Sequence, residues 1–155
     1  MKTRITMLLM AILLIAACKT KTVAVEAPKI LILSPAAVSS AQKSKAYELG
    51  KRVLETCNTS RFKPFTTTEA TAAVIKNTTE ERLTQTCRKF RVKYGRFEDI
   101  KLVEVVQNKV TNTFVFRYKA EYQWKHTTKE LRVSMNADNK VSAIQSRDWK
   151  DQYTP

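Results

Sequence analysis

Glycine is almost missing from this chain, with two residues in 155. A loop that wraps a phosphate needs several glycines so that the backbone can close on the oxygens, so a nucleotide loop of that kind is excluded. Histidine occurs once, at His126, and no His, Cys, Asp or Glu cluster has metal-ligand spacing. No metal and no cofactor is implied. Acid is the third shortage, 14 Asp and Glu against 28 Lys and Arg. Such a balance attracts anions, although the bases are scattered from Lys19 to Lys150 and also read as a merely solvated surface. No apolar run reaches the ~20 residues that span a bilayer as a helix.

The start of the chain carries the sharpest signal. Lys2 and Arg4 precede the apolar residues 7–15, and two alanines follow, the order of a secretory signal peptide. Ile15-Ala16-Ala17-Cys18 resembles the lipobox of bacterial lipoproteins. By that resemblance residues 1–17 are a leader and Cys18 is acylated as the first mature residue. The alternative is an ordinary signal peptide with a stray cysteine. Removing the leader leaves 26 bases against 14 acids, a side-chain charge of +12. The partners implied are a membrane, through the lipid, and either an anionic envelope component or a protein. Cytoplasmic nucleic acid is not expected. Lys19 stands where lipoproteins of the inner membrane often carry Asp, so the resemblance points to the outer membrane, facing the periplasm.

Residues 18–40 read as a tether, with Pro28, Pro35 and small residues. Within it, Ile30-Leu31-Ile32-Leu33 is too apolar for a solvated leash, and reads either as an edge strand or as a segment against the membrane. Residues 41–150 read as one domain and 151–155 as a tail. Past Cys18 only Cys57 and Cys87 remain. In an exported domain they form either a disulfide or two buried thiols packed as small hydrophobes.

Tyr47, Gly50, Val53, Leu54 and Cys57 fall at helical spacing and predict a helix over 41–57. Thr66-x-x-Glu69 and Thr78-x-x-Glu81 match the capping box. They predict a short helix through Ala70, Ala73 and Val74, and a longer one with Leu83, Cys87, Phe90 and Tyr94 on its apolar face. Gly95 follows where a left-handed stop is wanted. The period then changes to two. Phe114, Phe116, Tyr118, Ala120, Tyr122 and Trp124 alternate with Val115, Arg117, Lys119, Glu121, Gln123 and Lys125, predicting a strand with one apolar and one wet face. Strands over 100–107, 131–135 and 141–149 surround it, joined by short polar connections. The expected fold is α+β, with helices first and then a curved four-stranded antiparallel meander covered on one face.

Tyr94-Gly95-Arg96-Phe97 at a helix end, and the later run from Asn136 to Ile144, resemble the nuclear-transport-factor-2-like, or cystatin-like, α+β plan. More narrowly, they resemble small exported bacterial domains built on it. Enzymes of that plan place an Asp–His pair or a lone acid in the cone between helix and sheet. Here His126 falls in an expected turn, and Glu121 and Glu130 fall on the outward parity, so a catalytic site is not expected. The remaining readings are a ligand- or protein-binding domain, an accessory structural subunit of an envelope complex and, less favoured, an isomerase- or cyclase-like enzyme. If the aromatic row lines a pocket, its contacts are Tyr118, Tyr122, Trp124, Phe90 and Tyr94. Otherwise the row is simply core.

Overall fold

The computed structural model describes residues 29–125 and 128–155. Cys18, with the whole leader and most of the tether, lies outside the described residues, as does His126. The chain opens with β1 (Ile30–Leu33) and a 3-10 turn at Pro35–Ala37. Three helices follow: α1 (Ser40–Thr59), α2 (Ala72–Asn77) and α3 (Glu80–Tyr94). Four strands complete it: β2 (Phe97–Asn108), β3 (Thr113–Tyr122), β4 (Lys129–Met135) and β5 (Val141–Asp148). The sheet is antiparallel throughout, ordered β1-β2-β3-β4-β5, and it stays open.

The fold is therefore α+β with five strands, not the four expected. Ile30–Leu33 is the addition, an edge strand paired from Ile30↔Asn108 to Leu33↔Val105. Leu33 turns onto the core while Ile30 and Ile32 remain exposed.

Each helix has a local reason to start and stop. Ser39 caps α1 by accepting from the Gln42 N–H at 3.3 Å, and Ser60 ends it in the left-handed region, φ 57°. Neither capping box starts its helix where expected. The Glu69 carboxylate does accept from the Thr66 N–H, at 2.9 Å. Only one turn forms there, however, because residues 69–71 pair with Val141 at the end of the sheet. Thr71 then caps α2, and Thr79, one residue later than expected, caps α3. Gly95 stops α3 at φ 79°, a conformation that side chains with a β-carbon rarely adopt. Asn58 ties the end of α1 to the start of β2, donating to the Phe97 carbonyl at 2.7 Å and accepting from its N–H at 3.1 Å.

The helices cover one face of the sheet. Phe116, Tyr118, Ala120 and Tyr122 of β3 are buried against Leu49, Val53, Leu54 and Tyr94, with Val105, Leu131 and Val133 beside them. Each buried aromatic contributes ~1.5–3 kcal/mol by leaving water. Phe114 is only partly buried. Trp124 lies beyond the end of β3 and is 46% exposed, so it does not continue the inward row.

The opposite face departs most from expectation. Arg117 and Glu130, of outward parity, are 0% and 1% exposed. Arg117 pairs with Glu104 and Glu130, and the Arg132 Nε donates to the same Glu130 carboxylate at 2.7 Å. Residues 149–155, read as the end of a strand and a tail, cover this cluster. The Trp149 and Tyr153 rings lie 4.7 and 5.6 Å from the Arg117 guanidinium. Arg117 also donates to the Lys150 carbonyl at 2.7 Å, and Arg132 donates to the Thr154 carbonyl at 2.6 Å. Burial alone would raise the Glu130 carboxyl, but hydrogen bonds and charge from Arg117 and Arg132 outweigh it and hold the group below its ordinary range.

Candidate functional site

Two helical stripes and two strands converge on an apolar cleft. Val53, Leu54 and Cys57 of α1 form one wall, and Leu83, Thr86, Cys87 and Phe90 of α3 form the other. Leu131 of β4 with Ile144 and Ser146 of β5 supply the floor. The cleft measures about 160 Å³. For scale, an engineered cavity of ~150 Å³ lined by Leu, Ile and Phe stays dry and takes up benzene. No Asp, Glu, His, Lys or Arg lines it. Its lining offers van der Waals contact and two hydroxyls, and no group that could act as acid, base or metal ligand.

The cleft's width depends on a covalent contact. Cys57 and Cys87 form a disulfide with their Cα atoms 4.7 Å apart, fastening α1 to α3. One turn beyond Cys87, Phe90 belongs to a packed aromatic group. Phe90 lies 5.2 Å from Tyr94 and 6.1 Å from Tyr122, Tyr94 lies 5.5 Å from Tyr122, and Phe97 closes the group at 5.8 Å from Tyr122. The Lys129 ammonium sits over Phe90 and Tyr94, at 5.7 and 5.5 Å, and pairs with Asp148 at 2.6 Å.

The five residues expected to line a pocket thus occupy different settings. Phe90 lines the cleft. Tyr94 and Tyr122 are packed behind it. Tyr118 lies elsewhere in the core, beneath a shallow depression beside Tyr47 and Leu102. Tyr122 also lines, together with Trp124, a second depression of about 250 Å³ that includes Lys119, Glu121, Lys125 and Thr128, and the Trp124 N–H donates to the Tyr94 carbonyl at 3.1 Å. The Tyr118 and Tyr122 hydroxyls are buried without a hydrogen-bond partner, and burial raises both phenols. Neither can serve as a base near neutral pH.

Of the remaining cleft residues only Cys57 and Cys87 were singled out in the sequence, and as a candidate disulfide pair; the aliphatic ones each read as core by their own periodicity. A signal was nevertheless present: Cys57 and Cys87 each sit on an apolar helical stripe, and a bridge between them brings the two stripes side by side.

Among the described residues no group of His, Cys, Asp or Glu is placed to hold a metal ion, and no helix is long and apolar enough to cross a membrane. No family model, curated protein or solved structure matches the chain. The class defined by the structure is an α+β domain with helices packed on an open, five-stranded antiparallel meander.

Proposed function

We propose that this protein is an exported lipoprotein of the bacterial envelope, acylated at Cys18 and held at the outer membrane facing the periplasm. Its domain, on the nuclear-transport-factor-2-like or cystatin-like plan, is a non-catalytic binding module. The observation that carries the binding reading is the cleft, an apolar hollow braced by a disulfide and free of titratable groups. Such a site takes up a small apolar group, or the apolar end of a larger ligand, by removing it from water. The disulfide supports an oxidising compartment, and the run ending at Cys18 supports the lipid anchor.

Two measurements test the reading. Mass spectrometry of the mature amino terminus is expected to find an acylated cysteine, and Cys18→Ser to release the protein from membranes. An unmodified Cys18 in a membrane-bound protein would refute the anchor. For the cleft, the full chain is titrated with a small fluorescent hydrocarbon probe while the wild type is compared with Thr86→Phe, which fills the mouth. Saturable binding that the variant loses is expected. Equal binding by the two chains would show that the cleft is not the site.

A further inference from the structure

Outside the cleft, the charges of this molecule are sorted unevenly. Lys51, Arg52, Lys101, Arg117, Lys125, Lys129 and Arg132 each meet a carboxylate. On and just past α3 the pattern reverses. The helix opens on two exposed acids, Glu80 and Glu81; beyond them residues 82–96 hold Arg82, Arg88, Lys89, Arg91, Lys93 and Arg96, and no acid. None of the six forms a direct ion pair among the described residues, although the charge of Lys93 acts on Asp148. Arg82 donates to the Asn77 side-chain carbonyl at 2.7 Å and Arg91 reaches the Cys57 carbonyl at 3.4 Å, contacts that leave the positive charge uncompensated.

The placement of α3 turns this composition into a surface. Leu83, Cys87, Phe90 and Tyr94 face inward, and every other residue of the helix is exposed. Fifteen residues at 1.5 Å each give a rod about 22 Å long. From Arg88 to Lys93 successive cations are one or two residues apart, about 1.5–3 Å along the axis, well inside the ~8 Å Debye length of physiological salt, so an anionic plane meets them together. In their midst Val92 is 75% exposed. An isolated apolar side chain among long basic ones, whose stems are themselves apolar, suits a headgroup layer better than bulk water.

We propose that the outward face of α3 docks on an anionic phospholipid surface. The disulfide implies an oxidising compartment, where lipid phosphates are the standing polyanion. The proposal shares that exported setting with the function proposed above, but depends neither on acylation of Cys18 nor on the cleft.

The test uses the full chain carrying Cys18→Ser, so that no acyl group holds it to lipid. Sedimentation with phosphatidylglycerol vesicles is expected to carry the protein down, phosphatidylcholine vesicles to leave it in solution, and added salt to release it. Arg88→Gln/Lys89→Gln/Lys93→Gln should weaken partition about 100-fold, at about fivefold per charge near the surface. Any contribution of the leader cancels in that comparison. Lys76→Gln/Lys109→Gln/Lys140→Gln removes equal charge away from α3 and should cost less than about tenfold. Equal losses in the two triple variants would reduce the effect to net charge and overturn the assignment to α3. A chain that ignores anionic vesicles yet is retained on dextran sulfate would overturn the lipid in favour of a soluble polyanion. Because Cys18 is absent throughout, failure here leaves the anchor untouched, and failure of the anchor leaves this result readable.

Discussion

Gly50 lies against Val133 so closely that a β-carbon built on it would stand 2.7 Å from Val133 Cγ2 and 3.0 Å from Leu131 Cδ2. This contact sets the distance between α1 and the centre of the sheet. Val133 is a stiff, buried, β-branched residue with little freedom to yield. Gly50→Ala gains up to ~1 kcal/mol of helix propensity but overpacks this contact at ~1–3 kcal/mol. A net loss of up to about 2 kcal/mol is expected in urea unfolding. A stabilised variant would show that α1 can lift off the sheet at little cost.

The disulfide closes a separation of 30 residues. Cys57→Ala/Cys87→Ala should cost about 3–4 kcal/mol on chain-entropy grounds. The same change should loosen the cleft, so hydrocarbon uptake should fall along with stability. Thiol titration of the unfolded, unreduced wild type should find neither residue reactive.

Phe116 and Trp124 were expected on one row, yet they differ greatly in burial, with 0% and 46% exposure. Phe116→Ala should cost ~3–5 kcal/mol. Trp124→Ala, at a wet end of the sheet, should cost under ~1 kcal/mol. Similar losses from the two truncations would contradict this arrangement.

Acid should act early on one pair. Arg52 grips Glu69 through two hydrogen bonds, at 3.0 and 2.8 Å. Chiefly by that contact it lowers the Glu69 carboxyl from 4.5 to about 2. A carboxylate depressed in the folded state adds stability above its unfolded value and loses it as pH falls toward the folded one. About a fifth of each side chain remains exposed, so screening leaves ~1–2 kcal/mol. Glu69→Gln should therefore show that deficit at pH 7 and converge with the wild type near pH 2. A deficit independent of pH would assign the effect to packing.

Local periodicity made the inner face of the sheet readable. The alternation from Phe116 to Tyr122 gave both the strand and the side it buries, and the stripe from Leu83 to Tyr94 gave the buried face of α3. What escaped depended on contacts distant in sequence. Ile30–Leu33 is the edge strand that was one of its two readings, but it pairs with residues more than seventy positions away, and four aliphatics do not name their partner. Arg117 and Glu130 followed the right parity but the wrong burial. The segment that covers them, from Trp149 to Thr154, is polar enough to read as a tail, and its aromatic and carbonyl contacts exist only once the sheet has formed. The Thr66–Glu69 box formed its backbone bond but led into no long helix, because residues 69–71 pair with Val141, some seventy positions away. The cleft was hidden for a simpler reason, since a hollow between three apolar stripes carries the same residues as a filled core.

The position of β1 also decides how the molecule would yield to force. β2 to β5 are chain neighbours joined by hairpins, whereas β1 is held to the edge by four residue pairs and is followed by a turn and the cap of α1. A pull applied at residue 29 enters at the Lys29–Lys109 hydrogen bond and the Ile30↔Asn108 pair and peels β1 away in order, until it reaches Val38, which is buried in the core. The nine residues from 29 to 37 have a contour of ~30–32 Å at 3.3–3.6 Å each, part of which they already span in the fold. Stretching from that end should show one small, reversible extension shorter than this length before the cooperative rupture of the domain. The edge strand is thus a slack-keeper: under tension the domain travels outward while its cleft and its basic helix keep their shape.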